Sequence, residues 1–536
     1  LKREEEVPAE HSITPQTGRR MDRMIIAVLV LALAYFAADK FVLNPRRQKF
    51  APEISATSKS ATNENSVAVL AFANLSDDKG SEYFSDGISE ELLTVLQKIP
   101  GLRVAARTSA FSFKGKNATA QEIGQKLGVM HLVEGSVRKA GDVVRIAARL
   151  TQANTGEEQW SENYTRDLKD VFAVQTEIAQ TIVEQLRRQL TGGAANPEVK
   201  AAIQSQVQAA EKGGTKNVEA HEAYLRGRFF LNRHSEKETD QALVAFQRAV
   251  QLDSKFPLAW AGLAQTHVWS CNYGSEGGRQ GFNDHLAAAR DAVERALALE
   301  PDLPEALFPR SMIETNFDYN WKGAAETLRK ALVLAPQDPA LLMEAGNLAN
   351  ARGEKTQAFE FVRRAVALDP VNAQARGFLA AALSILGRQE EARAEYRRVI
   401  ELNPSAPYSH AGVGVTYLLE GKFEEAAMAA QQDAAEWARL LIVSCARWSQ
   451  KRIPESDAAL TELIAKFGEV AAYQVAEAYG YRNDKDAAFE WLERARRQRD
   501  AGLPSLRPDT LLRNLHGDPR WDALLRVMGL ADDQLQ

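Results

Sequence analysis

Apolar and polar positions change rhythm several times along the chain. Residues 24 to 43, MIIAVLVLALAYFAADKFVL, carry fifteen consecutive apolar positions before Asp39-Lys40. About twenty helical residues cross a bilayer core, so this run predicts one transmembrane helix over 24–43. Tyr35, Phe36 and Phe41 would sit at its interfaces, and Lys40 would reach outward. The next stretch, 44–65, is rich in Ser, Thr and Asn and reads as a linker. SVAVLAF (66–72) then predicts a buried strand. Ile88, Leu92, Leu93, Leu96 and Ile99 share one helical face, LRVAA (102–106) is a short strand, and 121–127 is a short amphipathic helix. Residues 130–164 read as three strands, turning at Ala140-Gly141-Asp142 and at Asn154-Thr155-Gly156. A helix over about 169–190 follows. The order βαβαβββα predicts an α/β or α+β layer with helices on one side of a mixed sheet.

Beyond about residue 217 the rhythm is helical with a fixed longer period. Prolines at 301, 336, 370 and 404 each follow a Leu-Xaa pair, at spacings of 35, 34 and 34. Ala324, Ala358, Ala392 and Ala426 recur every 34 residues, as do Gly353, Gly387 and Gly421. Gly346, Ala380 and Gly414 stand twelve positions before the matching alanines, where two helices of a pair must approach closely. The proline stops each second helix. This is the period of tetratricopeptide helix pairs, and it predicts an all-α solenoid of about eight repeats. CNYGSEGGRQGFN (271–283) reads as a loop inserted in the second repeat. The tail LLRNLHGDPRWDALLRVMGL reads as a terminal cap with Leu512, Leu515, Trp521, Leu524 and Leu525 facing inward. The first helices of such pairs line a groove. Helix-period arithmetic points Asn316, Met343, Asn347, Asn350, Gln374 and Tyr408 toward it, where amides that both donate and accept can hold a peptide backbone.

Composition narrows the chemistry. The net charge of −5 gives no basic field for nucleic acid, and the aromatic residues do not interleave with a basic stripe. Two cysteines, Cys271 and Cys445, lie too far apart in sequence for a CxxC pair. The eight histidines show no HExxH, and no GxSxG, GxGxxG or phosphate-loop spacing occurs. The expectation is therefore no catalytic residue, no metal and no cofactor. Acidic residues in SDGISEE (85–91) look like the start of a helix, where Asp86 and Ser89 would accept free backbone N–H groups and Glu90 and Glu91 would meet the helix dipole.

The stretch from SVAVLAFANLSDDKGSEYFSDGISEELL to AQTIVEQL, residues 66–186, resembles the TolB amino-terminal-like domain of bacterial transmembrane regulators. That resemblance implies an α/β fold ahead of tetratricopeptide repeats, often behind a membrane helix, and implies a periplasmic soluble part. It transfers no catalytic residue. The organisation expected is an N-terminal segment 1–23 continuing an upstream module, a transmembrane helix 24–43, and a linker 44–65. The TolB-like domain at 66–192, a linker at 193–216 and the repeat array with its cap at 217–530 would follow. Arg19, Arg20 and Arg23 balance Lys40, Arg46, Arg47 and Lys49, so charge does not orient the span. The function expected is a single-span inner-membrane scaffold or sensor that takes a protein or peptide in its groove and the bilayer through 24–43. Two alternatives stand beside it: the regulatory portion of a cyclase or winged-helix regulator whose output module precedes Leu1, and an envelope-assembly adaptor.

Overall fold

The structure is a computed structural model that describes residues 65–535, except 100, 142, 168–170, 192–213, 234 and 273–277. The described residues belong to one compact unit. The predicted span 24–43 lies outside them. Among the described residues no helix is long and apolar enough to cross a membrane, and the placement as a single-pass inner-membrane protein is corrected accordingly.

The first body is a mixed sheet. β1 (Ser66–Val69), β2 (Ala73–Asn74), β3 (Arg103–Val104), β4 (His131–Ala140), β5 (Val143–Gln152) and β6 (Glu158–Asp167) run in the order β3-β1-β4-β5-β6, with β2 beside β4. β1 pairs parallel with β3 and β4, while β4, β5 and β6 are antiparallel. Alternation along β1 decides the layers. Val67 and Val69 pack beneath α1 (Glu82–Gln97) and α4 (Val171–Thr191), against Ile88, Leu92, Ile178 and Ile182. Ala68 and Leu70 face α2 (Arg107–Phe111) and α3 (Ala120–Leu127), against Ala110, Ile123 and Leu127. Helices therefore cover both faces of the sheet, not one, because both sides of β1 are apolar. α3 is bounded by a Thr119–Glu122 capping box and by Gly128 in the left-handed conformation.

The acidic stretch is also corrected. α1 begins at Glu82, so Asp86, Ser89 and Glu90 lie inside the helix and are buried. Ser89 Oγ accepts the Phe72 N–H at 2.9 Å and donates to Ser85 O at 2.8 Å. Asp86 pairs with Lys114 at 2.6 Å. Glu90 accepts from Arg107 Nε at 2.7 Å, from Arg228 Nε at 2.9 Å and from Asn232 Nδ2 at 2.9 Å. Burial with partners, rather than capping, accounts for these side chains.

The second body is a ladder of eight helix pairs among the described residues. Their ranges are α5 (Val218–Leu231) with α6 (Glu236–Leu252), α7 (Pro257–Asn272) with α8 (Gly278–Leu299), α9 (Pro304–Asn316) with α10 (Trp321–Leu334), and α11 (Pro339–Ala351) with α12 (Lys355–Leu368). They continue as α13 (Ala373–Ile385) with α14 (Gln389–Leu402), α15 (Ser409–Leu419) with α16 (Phe423–Ala430), α17 (Glu436–Ser449) with α18 (Ile453–Phe467), and α19 (Ala472–Tyr481) with α20 (Lys485–Gln498). Helices α8, α10, α12 and α14 end two residues before the prolines at 301, 336, 370 and 404. Gly353, Gly387 and Gly421 turn each pair at φ of 77°, 81° and 76°, a region open to glycine without a Cβ penalty. A Cβ on Gly346 would come within 2.6 Å of Val362 Cγ1, which is why a small residue recurs there. The insertion predicted as a loop over 271–283 is shorter than expected, since α8 already starts at Gly278.

The two bodies meet along the turns of the array. Lys98 pairs with Glu305 at 2.9 Å, Gln337 Nε2 donates to Leu102 O at 2.6 Å, and the Ala106 N–H donates to Leu368 O at 3.0 Å. Ser109 gives both its N–H and its hydroxyl to Asp369 Oδ1, at 3.0 and 2.6 Å.

Candidate binding groove

First helices of successive pairs touch one another, so α9, α11, α13 and the helices after them form the inner face of the array. The predicted groove residues take different places on it. Asn316 ends α9 and is half-buried. Asn347 and Asn350, on α11, are half-buried, and Asn350 Oδ1 is itself buried with no hydrogen-bond partner. Met343 packs into a cluster with Leu342, Ala365 and Ala375. Gln374 is exposed at the start of α13. Tyr408 precedes α15 at φ 64° and stacks on Trp437 with centroids 5.9 Å apart. Its N–H donates to Asp433 Oδ1 at 2.9 Å, and burial pushes its phenol well above the usual value. The structure thus gathers Met343, Asn347 and Asn350 on one helix and spreads the other three.

Sequence reasoning passed over Glu344. It lies one turn before Asn347 and keeps only 7% of its surface. Burial pushes its carboxyl up to about 7, and the nearby Thr315 and Asn347 side chains ease only part of that. Glu344 Oε1 and Thr315 Oγ1 both stay without a hydrogen-bond partner of normal geometry. A charged residue on a helix reads as solvated face, and only the packing of α9 on α11 reveals that it is not.

The tail is the second feature that the sequence concealed. Of the residues expected to face inward, Leu512, Leu515, Trp521 and Leu524 are buried and Leu525 is half-buried against the same cluster. The segment nevertheless does more than close the last pair. Its Leu503–Ser505 turn lies on α9 and α11. Trp321 Nε1 donates to Met528 O at 2.6 Å, and an Arg352 guanidinium nitrogen donates to Leu535 O at 3.2 Å. At the other end Tyr473 OH donates to Asp509 Oδ2 at 2.7 Å, and Asn514 Nδ2 donates to Tyr481 O at 3.0 Å. Burial and the adjoining Asp509 carboxyl raise Glu477 well above its usual value, so this pair takes up a proton more readily than free carboxyls do. The tail therefore ties the eighth helix pair to the third and fourth.

A family description for the tetratricopeptide repeat matches residues 320–373 and 379–439, and the C-terminal part is a tetratricopeptide-repeat solenoid. A Rhizobium meliloti (strain 1021) protein named "Putative adenylate cyclase 3" is 36% identical over 199 residues, 37% of this chain and 32% of its own length. The Mus musculus protein O-mannosyl-transferase TMTC1 is 32% identical over 141 residues, 26% of this chain and 15% of its own. The chain thus spans a third or less of the curated relatives it matches. Among solved structures, that of Pseudomonas aeruginosa PilF aligns at TM-score 0.33 and 14% identity, covering 42% of this chain and 96% of that one. The Thermus thermophilus repeat protein TTC0263 aligns at 0.31 and 20%, covering 37% and 99%. At such scores these likenesses carry no argument about the groove.

Proposed function

We propose that this chain is a non-enzymatic scaffold that takes a protein or peptide on the inner face of its repeats and serves as the regulatory part of a signalling protein. The observation that carries the reading is α11, where half-buried Asn347 and Asn350 stand beside buried polar atoms that lack partners. Amide side chains there can both donate to and accept from an extended backbone. The resemblance of 66–186 to the TolB amino-terminal-like domain belongs to the same proposal, supported by a mixed sheet packed directly on the array. Selection of a displayed random-peptide library on the purified chain tests it. Binders should emerge and lose affinity on Asn347→Ala with Asn350→Ala; a chain that selects nothing, or binders indifferent to both changes, would count against it.

A second reading has one specific support, the 36% identity to a relative named as an adenylate cyclase. On it, the chain is the regulatory portion of a cyclase whose catalytic module lies on other residues. The chain alone would then make no cyclic AMP from ATP, while its addition to such a module would change that module's turnover. An unchanged turnover would remove this reading and leave the scaffold.

A further inference from the structure

We propose that Glu344 anchors a site for a cationic side chain, the guanidinium or ammonium of an Arg or Lys on a partner peptide. The proposal rests on the scaffold reading above and names the chemistry its partner must carry.

Among the described residues nine side-chain nitrogen or oxygen atoms are buried without a hydrogen-bond partner, and four of them sit on two adjacent helices. These are Glu314 Oε2 and Thr315 Oγ1 on α9, with Glu344 Oε1 and Asn350 Oδ1 on α11. Folded proteins satisfy the large majority of buried polar atoms, so such a concentration asks for a cause. Glu314 Oε2 and Asn350 Oδ1 accept, Glu344 Oε1 accepts when its carboxyl is ionised, and the Thr315 hydroxyl can donate or accept. With Glu344 ionised, these acceptors outnumber the one hydroxyl donor among them, and the partner they lack is a donor.

Its charge follows from comparing the buried glutamates, Glu90, Glu314, Glu344 and Glu477. Glu90 faces Arg107 and Arg228. Glu314 accepts from Arg310 Nε at 2.9 Å. Glu477 stands beside the Asp509 carboxyl, which together with burial raises it. Glu344 alone of the four has neither an ion-pair partner nor a second carboxyl, only the Thr315 hydroxyl and Asn347 amide nearby. A buried carboxyl in that condition either stays protonated or takes its counter-charge from outside. Burial raises that carboxyl to about 7, so near neutrality it can be ionised to meet an arriving cation. Met343 and Asn347, which precede and follow Glu344 along α11, are half-buried.

Phage-displayed random twelve-residue peptides, selected on the full chain, decide the matter. Binders to the wild type should share an Arg or Lys at one position. Replacing that Arg by citrulline, which keeps shape and removes charge, should weaken binding at least about ten-fold, and by no more than about two-fold on Glu344→Gln. Glu344→Gln breaks no ion pair and should melt no lower than the wild type. Thr315→Val, which deletes the neighbouring hydroxyl, should show a citrulline effect intermediate between the two. Binders without a basic position, or an equal citrulline effect on wild type and Glu344→Gln, would overturn the inference and spare the scaffold. A chain that selects no peptide would take both down.

Discussion

Replacing Glu90 by Gln removes the charge at the seam between the sheet body and the array while leaving the shape. Glu90 keeps 5% of its surface and receives Arg107, Arg228 and Asn232 at 2.7 to 2.9 Å. Burial alone would raise its carboxyl, but the Arg228 and Arg107 charges outweigh it and hold the group at about 2 instead of 4.5. That difference corresponds to about 3 kcal/mol favouring the charged, folded form. The Glu90→Gln change would also leave half-buried Arg228 without its counter-charge, and breaking one side of a buried pair costs up to roughly 3–5 kcal/mol. The assay is native-state hydrogen exchange, read on the amides of α1 and α5, because local opening is measured there without assuming that 536 residues unfold in one step. At pH 7 the opening free energy should fall by about 3 kcal/mol, and adding Arg228→Met should restore much of it. The sign with pH is fixed: a carboxyl depressed on folding gives its stability above the unfolded value near 4.5 and loses it as pH falls toward 2. Wild-type protection should therefore decline over that window and the variant's should not. A loss under about 1 kcal/mol, or a double variant weaker than the single, would refute a seam held by this network.

Three other outcomes follow from the packing. Glu477 is raised on folding, so its contribution is fully present below about pH 4.5 and declines as pH rises toward its folded value; Glu477→Gln should flatten the drop in melting temperature between pH 5 and pH 8, and an unchanged drop would exclude a raised Glu477 carboxyl. A Cβ on Gly262 would meet the Phe246 ring at 2.4 Å, so Gly262→Ala should cost about 1–3 kcal/mol in denaturant melts and Phe246→Leu should recover part of it. Trp321→Ala removes a buried ring and its bond to Met528 O, an expected loss of about 3–5 kcal/mol, and limited proteolysis should then cut within 499–535 first; cutting elsewhere would mean the tail is held by its other contacts.

What the sequence disclosed depends on how far apart the cooperating residues lie. The Leu-Xaa-Pro endings, the turn glycines and the small residues at 346, 380 and 414 each act within one repeat or its neighbour, so their period stood in the string itself. The strands could be read from alternation, but the second helical layer could not, because an apolar residue on either face of β1 looks the same in sequence. Asp86 looked like a cap and Glu90 like a partner of the helix dipole because their partners lie elsewhere: Arg228 and Asn232 follow Glu90 by 138 and 142 positions. Helix period alone puts Asn347 and Asn350 one turn apart on one helix, and both lie on α11. Glu344 was not, since burial of a carboxylate is decided by what packs over it, and the tail's anchor at Trp321 lies 207 positions from Met528.

Two segments of the chain already occupy the array, and their positions limit how a partner can act. The sheet body holds the turns between pairs through Gln337 and Asp369, which flank α11 and α12. The tail holds the inner side of the same pair through the Leu503–Ser505 turn and through Arg352. The fourth pair is thus gripped from both sides, and it is the pair that carries Glu344, Asn347 and Asn350. Close-packed interiors yield little to displacement. A ligand seated on α11 can therefore shift that helix only by disturbing the Gln337–Leu102 and Ser109–Asp369 bonds or the tail turn. Coupling between groove and sheet body needs no further device than this contact chain, provided that the ligand binds one arrangement of it better than another.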